Sequence, residues 1–143
     1  MIDSFRGPTF FLSNYYEAPV IFEGIRYGSS EAAFQAQKRA NYEDRKAFAN
    51  MTPDESKKAG RSGELRPDWE DVKVDLMKQI VYHKFMQNPA LAVRLLETGD
   101  EELVEGNTWG DRIWGKVDGE GQNLLGKILM EVREEIRNKK DTL

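Results

Sequence analysis

A chain of 143 residues and 16.5 kDa can bury about two thirds of its unfolded surface, so a single domain over residues 1–143 is expected. Hydrophobic residues at 39% and charged ones at 32% exclude a disordered segment, and a net charge of −4 argues against a general nucleic-acid coat protein. With no cysteine and only one histidine, His83, the chain has no disulfides, thiol nucleophile, thiolate metal site or His-rich metal site. Any chemistry must use carboxylates, lysine, hydroxyls or backbone, with no cofactor and no metal. No apolar run is long enough to span a bilayer, and Met1 is not followed by a signal-peptide core. A cytoplasmic location without a membrane partner is the default expectation.

Residues 9–14, Thr-Phe-Phe-Leu-Ser-Asn, read as an apolar strand ending in the turn formers Ser13 and Asn14. Pro19 to Phe22 and Ile25 to Tyr27 flank Glu23-Gly24, the pattern of a hairpin, so a small antiparallel sheet is expected near the N-terminus. The stretch Gly28 to Lys38 follows as a serine-capped helix with Glu31 in its first turn. Glu31, Gln35 and Lys38 fall at i, i+4 and i+7 with Phe34 beside them, so an acid, an amide, an amine and a ring share one face. Ala32, Ala33 and Ala36 form the opposite, close-packing side.

Asn41 to Asn50 continue helically after a bend. Thr52-Pro53-Asp54-Glu55 carries a capping box with proline at the first helical position, and Gly60 and Gly63 keep the helix it starts short. Gly60 to Pro67 reads as an irregular connection whose Arg61 and Arg66 can meet phosphate or a carboxylate. Asp68 caps the longest helix, to about Gln87, with Val72, Leu76, Met77, Ile80, Val81 and Phe85 on its apolar stripe. His83 within it reads as a partly buried structural ring. Asn88-Pro89 restarts a helix that buries Leu91, Leu95 and Leu96 and ends at Gly99. Glu102 to Glu105 suit a short strand. A last helix runs from about Asn123 to about Asn138 over Leu124, Ile128, Leu129, Val132 and Ile136, and the tail from Lys139 to Leu143 is expected to fray.

Between these elements lies a glycine-rich region with two tryptophans, Gly106 to Gly115 and Gly119 to Gly126. A glycine loop entering a helix N-terminus offers N–H groups to an anion, so the backbone from Gly119 through Gly121 to Asn123 is a phosphate site, unless the glycines serve only turn geometry. The Rossmann and P-loop patterns are both absent. Trp109 and Trp114 are core residues or stacking surfaces for a base or ribose, and Asp111 between them either caps the loop or faces a sugar cation. Glu31 can move a proton, and a desolvated Lys38 can attack a sugar carbon to form a Schiff base; the alternative for this pair is an ordinary solvated face.

Four segments carry a resemblance: Phe11 to Tyr15, Ser30 to Lys38, Asp111 to Gly115, and Gly121 to Arg133. In this order they closely resemble the NADAR (YbiA-like) family over nearly the whole chain. The resemblance implies a helix-rich α+β domain that cleaves N-glycosidic bonds. Implied substrates are ribosylamino-pyrimidine phosphate intermediates of riboflavin synthesis or ADP-ribose attached to guanine, so the partner is a small-molecule nucleotide or ADP-ribosyl substrate, with ADP-ribosylated nucleic acid in the second case. Glu31 and Lys38 fall on the family's active-site helix, Asp111 and Trp114 on its Asp/Trp loop, and Ser13 and Asn14 on its ligand-binding turn. A lysine Schiff base with released ribose is associated with the guanine-directed members, which makes Lys38 the nucleophile. The substrate-binding set is completed by Phe34, Gln35, Trp109, Gly119, Gly121 and Asn123. Rival readings are a non-catalytic ADP-ribose or NAD-binding module and a partner-binding domain with no ligand pocket.

Overall fold

Where a strand was expected at residues 9–14, the computed structural model has a 3-10 helix, Gly7–Leu12. Pro8 starts it, and Gly7 ahead of the proline takes a left-handed φ of 53°. The neighbouring side chains Phe11 and Leu12 are both buried, a pattern that strand alternation cannot produce. Arg94 holds the turn by donating to the Pro8 carbonyl at 2.9 Å and stacking its guanidinium 4.1 Å from the Phe11 ring centre. The structure describes residues 1–141, and these divide into two units, residues 14–88 and residues 1–13 with 89 onward. The protein is α+β and helix-rich, with one two-stranded antiparallel sheet near the N-terminus, as the sequence implies.

In the 14–88 unit, β1 (Val20–Phe22) pairs with β2 (Ile25–Tyr27) in the register Val20 to Tyr27 and Phe22 to Ile25. Glu23 and Gly24 both take positive φ, the two-residue hairpin geometry that matches strand twist. Val20, Phe22, Ile25 and Tyr27 point inward, and the outer edge of β1 is closed by Gln87, whose amide accepts from Ile21 N–H at 2.7 Å and donates to Ile21 O at 2.8 Å. His83 sets its ring edge-on to Phe22 at 5.8 Å, the structural position expected for it.

Four helices follow: α1 (Ser30–Ala36), α2 (Tyr42–Lys46), α3 (Pro53–Arg61) and α4 (Trp69–Gln87). Ser29 caps α1 by accepting from Ala32 N–H at 3.1 Å. The Thr52/Glu55 capping box of α3 is complete. Asp68 precedes α4 without a side-chain cap, because its carboxylate is taken by Arg66 at 2.7 and 3.2 Å. Met77, Ile80, Val81 and Phe85 line the buried side of α4, which packs on β1 and α1.

The other unit packs α5 (Pro89–Glu97) on α6 (Leu124–Asp141). Leu91 and Leu95 on α5, and Leu125, Ile128, Leu129, Val132 and Ile136 on α6, are buried. Gly99 ends α5 at a φ of 63°, and Arg137 on α6 donates to its carbonyl at 2.7 Å. The expected strand at 102–105 is a single parallel bridge, Ile2 to Leu103, because only one N-terminal residue lies beside it. Helix α6 continues past the predicted end near Asn138; of the tail expected to fray, residues 142–143 lie outside the described residues.

Asn123 and Gly126 set the start of α6. Asn123, at a φ of 53°, accepts from Glu105 N–H at 2.9 Å and donates to Leu103 O at 3.0 Å. A Cβ added to Gly126 would lie 2.1 Å from the same Leu103 carbonyl. Backbone cannot rotate away as a side-chain end can, so Gly126→Ala is expected to cost at least ~2 kcal/mol through overpacking. Thermal unfolding should show Tm lower by roughly 5 °C or more; an unchanged Tm would mean that the contact relaxes freely.

Candidate active site

The α1 segment predicted to pair polar groups on one face is more enclosed than an amphipathic helix: all seven of its residues are buried. Its N-terminus is anchored through Asn14, whose carbonyl accepts from Glu31 N–H at 3.1 Å and whose side-chain oxygen accepts from Ser30 Oγ at 2.8 Å. The Asn14 amide also donates to the Met77 sulfur at 3.4 Å. Asn14 thus positions α1. Ser13 N–H closes the preceding 3-10 turn onto Phe10 O.

Glu31 is only 8% exposed, and Gln35 Nε2 donates to its Oε1 at 3.1 Å. A carboxylate withdrawn from water in this way needs such donors, and buried acids cluster at functional sites. Gln35 is held from the far side by α3, where Gly60 makes room: a Cβ there would sit 1.9 Å from Gln35 Oε1. That oxygen is buried with no hydrogen-bond partner among the described residues, an imbalance that packing alone does not explain. The Gly60→Ala variant should gain about 1 kcal/mol in helix propensity. It should also push Gln35 off Glu31, so kcat is expected to fall about 10- to 100-fold with little change in Tm. Equal kcat in the two proteins would remove Gln35 from the site.

Lys38 follows the end of α1, half-buried, with Nζ 5.9 Å from the Trp69 ring centre. Burial holds its amine below the ordinary lysine range; Glu31 opposes this shift, while Arg39, Arg61 and Lys57 add to it. Phe34 is buried against Trp69 at 5.1 Å between ring centres, so it supports the Trp69 wall. Tyr15 adjoins the same groups. Its phenol is held well above the ordinary value, first by burial and then by the charges of Glu31 and Asp54 and a hydrogen bond to Asp54. Lys57 on α3 places Nζ 5.8 Å from the Tyr15 ring centre.

The predicted Glu31, Gln35 and Lys38 are therefore brought together, joined by Tyr15, Trp69 and Lys57, which the sequence reading left out of the site, and by Arg61, which it offered to a phosphate or carboxylate without placing it here. Lys57 and Arg61 carried a signal in their i, i+4 spacing, and Trp69 in its place at the start of a helix. Arg66 is not free for an anion, being committed to Asp68 and to Gln37 O at 3.3 Å. A cleft of about 470 Å³ is lined by Arg39, Asn41, Phe48, Met51 and Arg66, but takes in neither Glu31 nor Lys38. Lys84 is a second desolvated amine, pushed down to about 7 by burial. At 1% exposure it is out of reach of a substrate.

In the glycine-rich region, Asp111 Oδ1 accepts from Ile113 N–H at 3.0 Å and Trp114 N–H at 2.9 Å, while Asn107 brackets the Asp111 backbone. This is the loop-capping role. Trp109 is 57% exposed and Trp114 half-buried, so neither is a fully buried core residue. Gly119 and Gly121 are exposed at φ of 78° and 143°. The phosphate reading of Gly119 to Asn123 meets an obstacle: Glu120, Gln122, Asn123, Leu124 and Leu125 all donate their N–H groups to carbonyls of the same loop. Asn123 spends its side chain there too. Among the described residues no cluster of three or more acidic or imidazole groups could hold a metal, and no helix is long and apolar enough to cross a membrane.

A buried acid steadied by an amide beside a desolvated amine is an arrangement that can transfer a proton or supply a nucleophile. The chain belongs to the NADAR domain family, whose model matches residues 4–137. It is 38% identical to an N-glycosidase of Nostoc punctiforme over 88% of this chain and 85% of that protein. It is 40% identical to a riboflavin biosynthesis protein of Vibrio vulnificus over 89% of its own length, and spans 35% of that longer protein. The NMR structure of Escherichia coli YbiA is similar to it, with a TM-score of 0.84 and 33% identity, covering 98% of this chain and 89% of that one.

Proposed function

We propose that this chain is an N-glycosidase that cleaves the C1′–N bond of a ribose-phosphate or ADP-ribose N-glycoside. The class rests on family membership and on nearly end-to-end similarity to proteins named N-glycosidases. The observation that carries the chemistry is the buried Glu31, held by Gln35, beside the desolvated amine of Lys38.

In the proposed step the neutral Lys38 amine attacks C1′ and forms a C1′–Nζ bond. The C1′–N electron pair leaves with the base, and a proton passes from the newly bonded Nζ through the Glu31 carboxylate to that base. The Nζ lone pair then opens the sugar ring by breaking C1′–O4′; O4′ takes the second Nζ proton through Glu31, leaving a C1′=Nζ imine that water hydrolyses to the ribose phosphate or ADP-ribose and the free amine. Asp111 would orient the ribose or stabilise its cation, and Trp114 would stack on base or ribose. The same reading places the protein in the cytoplasm as one domain over residues 1–143.

Of the two substrate types, the riboflavin intermediate is favoured by the name of the Vibrio vulnificus relative. Incubating the protein with a ribosylamino-pyrimidine phosphate and, separately, with ADP-ribosylated guanine, then identifying released base and sugar by mass spectrometry, tests the proposal. Release from either supports the N-glycosidase and names the substrate type. Binding of ADP-ribose with no release from either leaves a binding module instead.

A further inference from the structure

The proposed substrates are anionic, yet the glycine-rich loop has committed most of the N–H groups that could receive a phosphate. Arg66 is spent on Asp68 and Gln37, and Arg39 on the carbonyls of Ala59, Ser62 and Glu64. Two cations beside the Glu31/Lys38 site remain. Among the described residues neither the Lys57 nor the Arg61 side chain makes a hydrogen bond or an ion pair. They lie one helical turn apart on α3, Arg61 exposed and Lys57 half-buried over the Tyr15 ring at 5.8 Å. Gly60, between them in sequence, is the residue that seats α3 against Gln35.

We propose that Lys57 and Arg61 form the subsite for the substrate's phosphate, beside the Glu31/Lys38 pair. Their charges reach the groups of the site itself: both act on the Lys38 amine, and Arg61 also acts on the Tyr15 phenol. With Lys38, they set three cations against Glu31 and Asp54 in a chain whose net charge is −4. A local cationic excess in an acidic protein draws anions to that place. Arg61 supplies a planar fork suited to two phosphate oxygens, and Lys57 a point charge.

This inference rests on the N-glycosidase reading for the identity of the substrate, but its test does not need turnover. Ribose 5-phosphate and ribose are titrated into the full chain by calorimetry, using wild type, Lys57→Met, Arg61→Met and Arg61→Lys. The expected result is that each methionine variant weakens ribose 5-phosphate binding about 10-fold or more and leaves ribose binding and Tm unchanged, with Arg61→Lys recovering part of the loss. The subsite is overturned if wild type does not prefer ribose 5-phosphate to ribose, or if the methionine variants keep that preference. Loss of the glycosidase reading would show separately, as absence of base release while ribose 5-phosphate binding persists.

Discussion

Replacing Glu31 with glutamine is expected to lower kcat by about 100- to 10,000-fold, the range for losing a positioned proton donor, while ribose 5-phosphate affinity stays within about threefold. The variant keeps the shape of the side chain, and its amide oxygen can still accept from Gln35 Nε2, which now bonds Glu31 Oε1 at 3.1 Å. Only the exchangeable proton and the charge are lost. Because an 8% exposed carboxylate is costly to keep from water, the neutral amide should leave Tm unchanged or raise it. A drop in kcat with Tm maintained therefore reports chemistry. If kcat instead stays within about threefold of wild type, Glu31 is a packing residue.

The second large effect concerns Lys38. Borohydride added during turnover should join the substrate sugar to Lys38, and Lys38→Ala should lose the adduct and about 100-fold or more in kcat. The mapped peptide matters, because Lys84 is also a desolvated amine but is sealed from solvent. An adduct on Lys84 would move the nucleophile. Turnover without any adduct would hand the attack to water.

The pH profile supplies an independent reading. A lysine nucleophile must be neutral, so kcat rises with pH through the Lys38 pKa, and burial places that midpoint below the ordinary lysine range. Arg61 depresses this pKa, so Arg61→Met should move the midpoint to higher pH. Glu31 raises it, so residual activity in Glu31→Gln should have a midpoint at lower pH. Opposite shifts in the two variants are a signature that simple loss of structure does not produce.

Much of the fold was legible because its signals are local. The Glu23-Gly24 turn, the Thr52/Glu55 capping box and the proline starting α5 each act within a few residues, and all three appear where expected. The misread segments depended on distant chain. Residues 9–14 have strand composition, but a strand needs a partner, and here Arg94, more than 80 residues away, stabilises a 3-10 turn instead. Residues 102–105 meet only Ile2 in strand register and stop at a bridge, with other backbone bonds going to Asn123 and Lys116.

The candidate site divides along the same line. By itself, the sequence determined that Glu31 and Gln35 share one side of a capped helix, since 3.6-residue periodicity and the Ser29 cap are properties of adjacent residues; Lys38, expected on the same helix, lies in the turn past its end at Ala36. Only the tertiary structure decided what that side meets. Gly60 lets α3 approach closely enough to press on Gln35, Trp69 brings a ring beneath the Lys38 amine, and Tyr15, Lys57 and Arg61 add their charge and bulk. The reason is physical: helix spacing sets which groups point the same way, whereas desolvation and through-space charge, which make an acid and an amine reactive, depend on neighbours supplied by distant parts of the chain.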